Sequence, residues 1–172
     1  MLRSLSIAAL IVTTASTAAA APTVSALAGG MVCEEPGLFG GTLGARAGVR
    51  DDAPGPAWGA HAEASLVRFA GFGPHTGAHG WRATVAADRR LGGGTARPHA
   101  VAGLTVAQWT RDSEQDGLLD LTSLDATAGA GVSVGWLRVE LTVAVPLATL
   151  TRAQDSATVG PALALTVGVG LP

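Results

Sequence analysis

Between residues 123 and 150 the chain alternates in character at every step. Leu124, Ala126, Ala128, Ala130, Val132, Val134 and Trp136 are apolar, while Ser123, Asp125, Thr127, Gly129, Gly131, Ser133 and Gly135 between them are polar or bare backbone. A period of two marks a strand with two unlike faces. Directly afterwards Leu137, Val139, Leu141, Val143, Val145 and Leu147 alternate with Arg138, Glu140, Thr142, Ala144 and Pro146. The pattern predicts two long strands joined by a very tight turn. Both exceed the ~5–6 residues of an average strand and reach the ~9–11 that a tilted strand needs to cross a bilayer.

The rest of the chain follows the same rule. Residues 42–50 set Leu43, Ala45, Ala47 and Val49 against Thr42, Gly44, Arg46, Gly48 and Arg50. Residues 58–72 begin with Trp58, Ala60, Ala62, Ala64 and Leu66 opposite Gly59, His61, Glu63 and Ser65, then slip at Val67-Arg68-Phe69, which predicts a bulge or the exit from the bilayer. Trp81, Ala83, Val85 and Ala87 mark a further strand, and Ala100, Ala102, Leu104 and Val106 another. Residues 158–171 form the last, and residues 23–31, which alternate poorly, supply the first. Turn chemistry separates them at 34–37, 51–56, 73–78, 92–94, 111–117 and 152–156. About eight antiparallel strands result, an even number that suits an all-β, up-and-down barrel.

The first twenty residues read differently. Met1-Leu2-Arg3 is a positive start, residues 5–12 are mostly apolar, and Ala18-Ala19-Ala20 offers a cleavage site. This predicts a secretory signal peptide over 1–20 and a single barrel domain over 21–172. Thr13, Thr14, Ser16 and Thr17 interrupt the run, so a membrane-spanning helix is not predicted. The single cysteine, Cys33, leaves no intramolecular disulfide framework and reads as an unpaired loop thiol.

Composition decides which face looks outward. The chain is 48% hydrophobic and 14% charged, against ~25% charged in soluble proteins, and contains no lysine. Its mean hydropathy is +0.37. Gly, Ala, Thr and Ser dominate the polar face, which would cover a water-exposed surface poorly but would fill a narrow interior. The charged members of that face are Arg46, Arg50, Glu63, Arg82, Asp88, Arg90, Asp125, Arg138 and Glu140, five positive and four negative. An arginine turned to lipid costs ~2–4 kcal/mol at mid-membrane, so these residues are predicted to pair inside. With ~8 strands such a lumen is plugged by side chains. A net charge of −2 gives no reason to expect nucleic acid as a partner.

The four tryptophans add a second line of reasoning. Trp58 opens one strand and Trp136 closes another, which assigns both to the inner interface, and Trp81 and Trp109 fall to the outer one. Trp109 is off the apolar parity unless a bulge intervenes. With signal peptide, alternating strands, tight turns and the ending Val167-Gly168-Val169-Gly170-Leu171-Pro172, the chain resembles the small eight-stranded outer-membrane β-barrel proteins of Gram-negative bacteria. The resemblance implies the cell outer membrane as location, outer-membrane lipid around the barrel and the barrel-assembly machinery as partner. It departs from that group in having no tyrosine and in ending at Pro172 rather than an aromatic residue.

Candidate chemistry is sparse. His61, Glu63 and Ser65 line one face of one strand, residue types that resemble those serving hydrolysis in lipid A deacylases, which are also eight-stranded outer-membrane barrels. Alternate positions lie ~6.5–7 Å apart, too far for a nucleophile and its base without a neighbouring strand. His75 and His79 lack metal-ligand spacing, Asp112, Glu114, Asp116 and Asp120 lack the glycine and glutamate of a calcium loop, and Gly92-Gly93-Gly94 is followed by no helix. No cofactor is predicted. The expectation is a structural, non-enzymatic outer-membrane barrel with a plugged polar lumen and short extracellular loops. The alternatives are a lipid-modifying hydrolase using His61, Glu63 and Ser65, or a soluble exported lipocalin-like barrel that holds an apolar ligand.

Overall fold

The computed structural model describes residues 20–33, 38–51, 55–70, 78–113, 117–151 and 160–171. They form eight strands: β1 (Ala20–Cys33), β2 (Leu38–Asp51), β3 (Ala57–Ala70), β4 (Ala78–Arg90), β5 (Ala96–Ser113), β6 (Gly117–Val134), β7 (Leu137–Thr151) and β8 (Ala162–Leu171). Each pairs antiparallel with the next, and β8 pairs back onto β1, closing the barrel. Residues 1–19, and with them nearly all of the predicted signal peptide, lie outside the described residues. So do the predicted loops at 34–37 and 152–156 and all but Ala78 of the one at 73–78.

Most strands run longer than periodicity predicts; β8 does not, since it begins at Ala162 and leaves Gly160 and Pro161 of the predicted 158–171 outside the strand. The 14 residues of β2 span ~46 Å along the strand, which at a ~45° tilt exceeds the ~25 Å apolar band of a membrane barrel. Their ends therefore carry ladder hydrogen bonds beyond the bilayer core, where alternation need not persist. For the same reason the predicted charged loop at 111–117 is mostly strand: β5 continues to Ser113, which pairs with Gly117 of β6. Residues 23–31 are strand despite their weak pattern, because β1 has neighbours on both sides to pair with.

The opening hairpin of the sequence reading is β6–β7. Gly135 adopts φ +58° and Trp136 does not, the arrangement of a two-residue II′ turn with glycine first. At the other end of that pair, Leu124 faces Ala148 and Asp125 faces Pro146, so the register shifts at Leu147. A proline, which cannot donate to the ladder, sits next to the irregularity. No such shift occurs at Val67-Arg68-Phe69: β3 keeps its register with β2 through all three and with β4 through Arg68. Val67 and Phe69 point into the lumen and Arg68 points out, so the predicted slip is a change in what fills the interior.

Facing is unambiguous. Leu141 and Leu165 are 49% and 51% exposed on the outer surface, with Leu43, Leu66, Leu104 and Val143 beside them, while Arg46, Arg82, Asp88, Asp125, Arg138 and Glu140 are buried within. A soluble barrel with an apolar cavity needs the opposite, so that alternative is excluded. An exterior coated by leucine and valine around an ionised interior is the facing of a transmembrane barrel.

Candidate functional site: the layered lumen

Nearest the short turns, the lumen holds a chain of ion pairs contributed by four strands. Arg46 on β2 bonds Glu63 on β3 at 2.8 Å, and in the ladder the two residues are direct partners. Arg46 also bonds Glu140 on β7, which takes a second charged hydrogen bond from Arg138. Arg138 reaches Asp88 on β4 at 3.2 Å, and Asp88 stands 3.9 Å from Arg50 on β2. His61 Nδ1 lies 3.6 Å from Asp88, and His99 Nε2 lies 3.7 Å from Glu140. Charges therefore alternate from Glu63 through Arg46, Glu140, Arg138 and Asp88 to Arg50.

Backbone makes room for this. Glu140 pairs across the ladder with Gly131, and a Cβ on Gly131 would stand 2.7 Å from Glu140 Cγ and 2.8 Å from His99 Nε2. Glycine there is a requirement of space, not of turning.

Beyond the ion pairs, Thr84, Thr105 and Thr127 form a row of hydroxyls across β4, β5 and β6, at 2.8 and 2.7 Å. Near the opposite end, the interior turns apolar. Met31, Cys33, Val67, Phe69, Ala107 and Trp109 pack together, with the Phe69 and Trp109 rings 5.4 Å apart and tilted by 53°. Such an aromatic pair adds ~0.5–1.5 kcal/mol beyond the area it buries.

Several expectations are corrected by this layering. The lumen is polar over only part of its length. Trp109 does not face the outer interface: β5 keeps its register past it, so its odd parity carries it inward. Cys33 is not in a loop; it closes β1, and its buried thiol joins the apolar layer. Of the nine charged residues predicted to fill the lumen, Arg46, Arg50, Glu63, Asp88, Arg138 and Glu140 share one network. The other three have different surroundings. Arg90 donates to the Gly55 carbonyl at 2.8 Å, and among the described residues neither Arg82 nor Asp125 makes an ion pair within 4 Å.

His61 and Ser65 are buried in the lumen on β3, away from the lipid face, and Glu63 between them is held by Arg46. His61 turns to Asp88 rather than to Ser65. Trp58, Trp81 and Trp136 are exposed on the outer surface: Trp58 under the Arg89 guanidinium at 5.4 Å, Trp81 donating to Gln108 Oε1 at 3.0 Å. His79 is also exposed, and His75 lies outside the described residues.

Residues missed from sequence were His99, the three threonines and the Phe69–Trp109 pair. His99, Val101 and Thr105 share a parity opposite Ala100, Ala102 and Leu104, so their inward direction was readable. Their partners were not.

Solved structures with this architecture include Neisserial surface protein A (NspA), 13% identical, matching over 88% of this chain and 97% of that one with a TM-score of 0.60. The outer membrane enzyme PagL is 16% identical over 88% of this chain and 99% of its own, TM-score 0.56. The N-terminal β-barrel domain of Pseudomonas aeruginosa OprF is 16% identical over 87% and 97%, TM-score 0.51. The chain has the fold of a small outer-membrane β-barrel. No protein-family model and no curated protein matches it. Since this fold carries a surface protein, an enzyme and one domain of a larger protein, it assigns no activity by itself.

Proposed function

We propose that this chain is a structural, non-enzymatic barrel of the outer membrane, its lumen closed and its loops exposed to the outside. The observation that carries this reading is the pair of stacked closures: ion pairs linking β2, β3, β4 and β7, and the apolar layer around Phe69 and Trp109. A solute would have to break buried charge pairs and displace packed aromatic rings, each a cost of several kcal/mol. Refolded protein in planar lipid bilayers is expected to give no stepwise conductance above the bare membrane. Steady open-channel currents would overturn the closed-lumen reading, and recovery in a soluble periplasmic fraction would overturn the location.

A second reading, a lipid-modifying hydrolase, draws support from the likeness to the outer membrane enzyme PagL. Burial of His61 and Ser65 inside the barrel counts against it. Hydrolysis of a lipid substrate that vanished in His61→Ala and Ser65→Ala would establish it.

A further inference from the structure

Below the ion pairs, toward the short turns, the lumen opens into a cavity of about 430 Å³. Its polar wall is made by Arg46, Arg50, Arg138, His61, Asp88 and Ser133. Two guanidinium groups, Arg50 and Arg138, and a histidine thus meet at one carboxylate, Asp88. Glu63 and Glu140, behind the wall, bond Arg46 and Arg138 but do not saturate them: Arg46 Nε and Arg138 Nη2 are buried and have no hydrogen-bond partner among the described residues. The two side chains are only 8% and 10% exposed. Arg50 is more open, at 27%, and shares Asp88 with Arg138, which stands closer to it. Arg138 is bonded to Glu140 as well, so Arg50, whose one ion pair among the described residues is Asp88 at 3.9 Å, is the guanidinium held least closely.

We propose that this cavity is a binding site for an oxyanion of the phosphate class, with Arg50 as its principal counter-ion and the Arg46 and Arg138 side chains beside it in the wall. Planar guanidinium forks match tetrahedral oxyanions by paired hydrogen bonds. Asp88, also in the wall, accepts from Arg138 through Oδ2 and faces His61 through Oδ1. The volume leaves space for waters or for an ester substituent, and the apolar rim at Pro22, Val24 and Trp136 would accept the latter.

The test uses the full chain folded in a maltoside detergent, which carries no phosphate, titrated calorimetrically with inorganic phosphate at constant ionic strength against chloride. Saturable one-to-one binding is expected. It should weaken about tenfold in Arg50→Gln, the loss of one charge-assisted hydrogen bond, and persist in Arg50→Lys. Arg89→Gln should bind as the unaltered chain does, because Arg89 lies outside over Trp58. If Arg50→Gln does not fold, the decision passes to Arg50→Lys and to the unfolding temperature of the unaltered chain, which phosphate and not chloride should raise. Non-saturating heats, or equal affinity in folded Arg50→Gln, would overturn the site. Displacement by a short-chain phosphatidylglycerol assigns the oxyanion to a lipid headgroup; no displacement assigns it to a free ion, and both outcomes support the site.

Discussion

The two halves of the lumen solve one packing problem with opposite chemistry. Toward the short turns, Arg46, Glu140, Arg138 and Asp88 fill the barrel with charges that neutralise each other. Toward the loops, Met31, Phe69 and Trp109 fill it with apolar volume. Apolar packing tolerates loss in proportion to the volume removed. A charge network does not, because deleting one member strands its partners in a medium that cannot solvate them. Closure by charge is therefore brittle and closure by packing graded.

Substitutions can break or sharpen that contrast. Glu140→Ala should be the most damaging, because it strands both Arg46 and Arg138 at a site where Glu140 is only 2% exposed. A loss of ~3–5 kcal/mol in urea unfolding from lipid vesicles is expected. Trp109→Ala in the apolar half should cost ~3 kcal/mol, the low end for a buried tryptophan, since the substitution also removes an indole N–H that has no acceptor among the described residues. If Trp109→Ala proved the costlier, the brittle-versus-graded distinction would be wrong. Leu165→Arg on the outer face should cost ~2–3 kcal/mol in vesicles and little in detergent micelles, a difference that vanishes if the face does not meet lipid. Thr105→Val, in the hydroxyl row between the halves, should cost ~1–2 kcal/mol by leaving Thr84 and Thr127 each short of a partner.

How much was readable in advance differs between strand middles and strand ends. In β6 and β7 every residue from Ser123 to Val145 faces as its parity predicts, because each position must choose between lipid and lumen. At the loop end that choice relaxes. Val67, Phe69 and Trp109 are apolar and yet point inward, so an apolar side chain there no longer signals lipid. The same relaxation made Val67-Arg68-Phe69 look like a slipped strand and Trp109 like a girdle residue. The candidate triad shows the converse. His61, Glu63 and Ser65 do share a face, but sharing a face does not choose partners: Glu63 went to β2 and His61 to β4.

By itself the sequence determined the strands, their number and the direction of most side chains. Those properties follow from a period of two and from the cost of putting charge into lipid, and both act locally. Only the closed barrel decided the pairings. Arg46 and Glu140 are 94 residues apart and meet across the lumen because closure of eight registers brings β2 opposite β7. No local pattern encodes a contact made by summing every register in the ring, and the layering of charge, hydroxyl and ring follows from that sum.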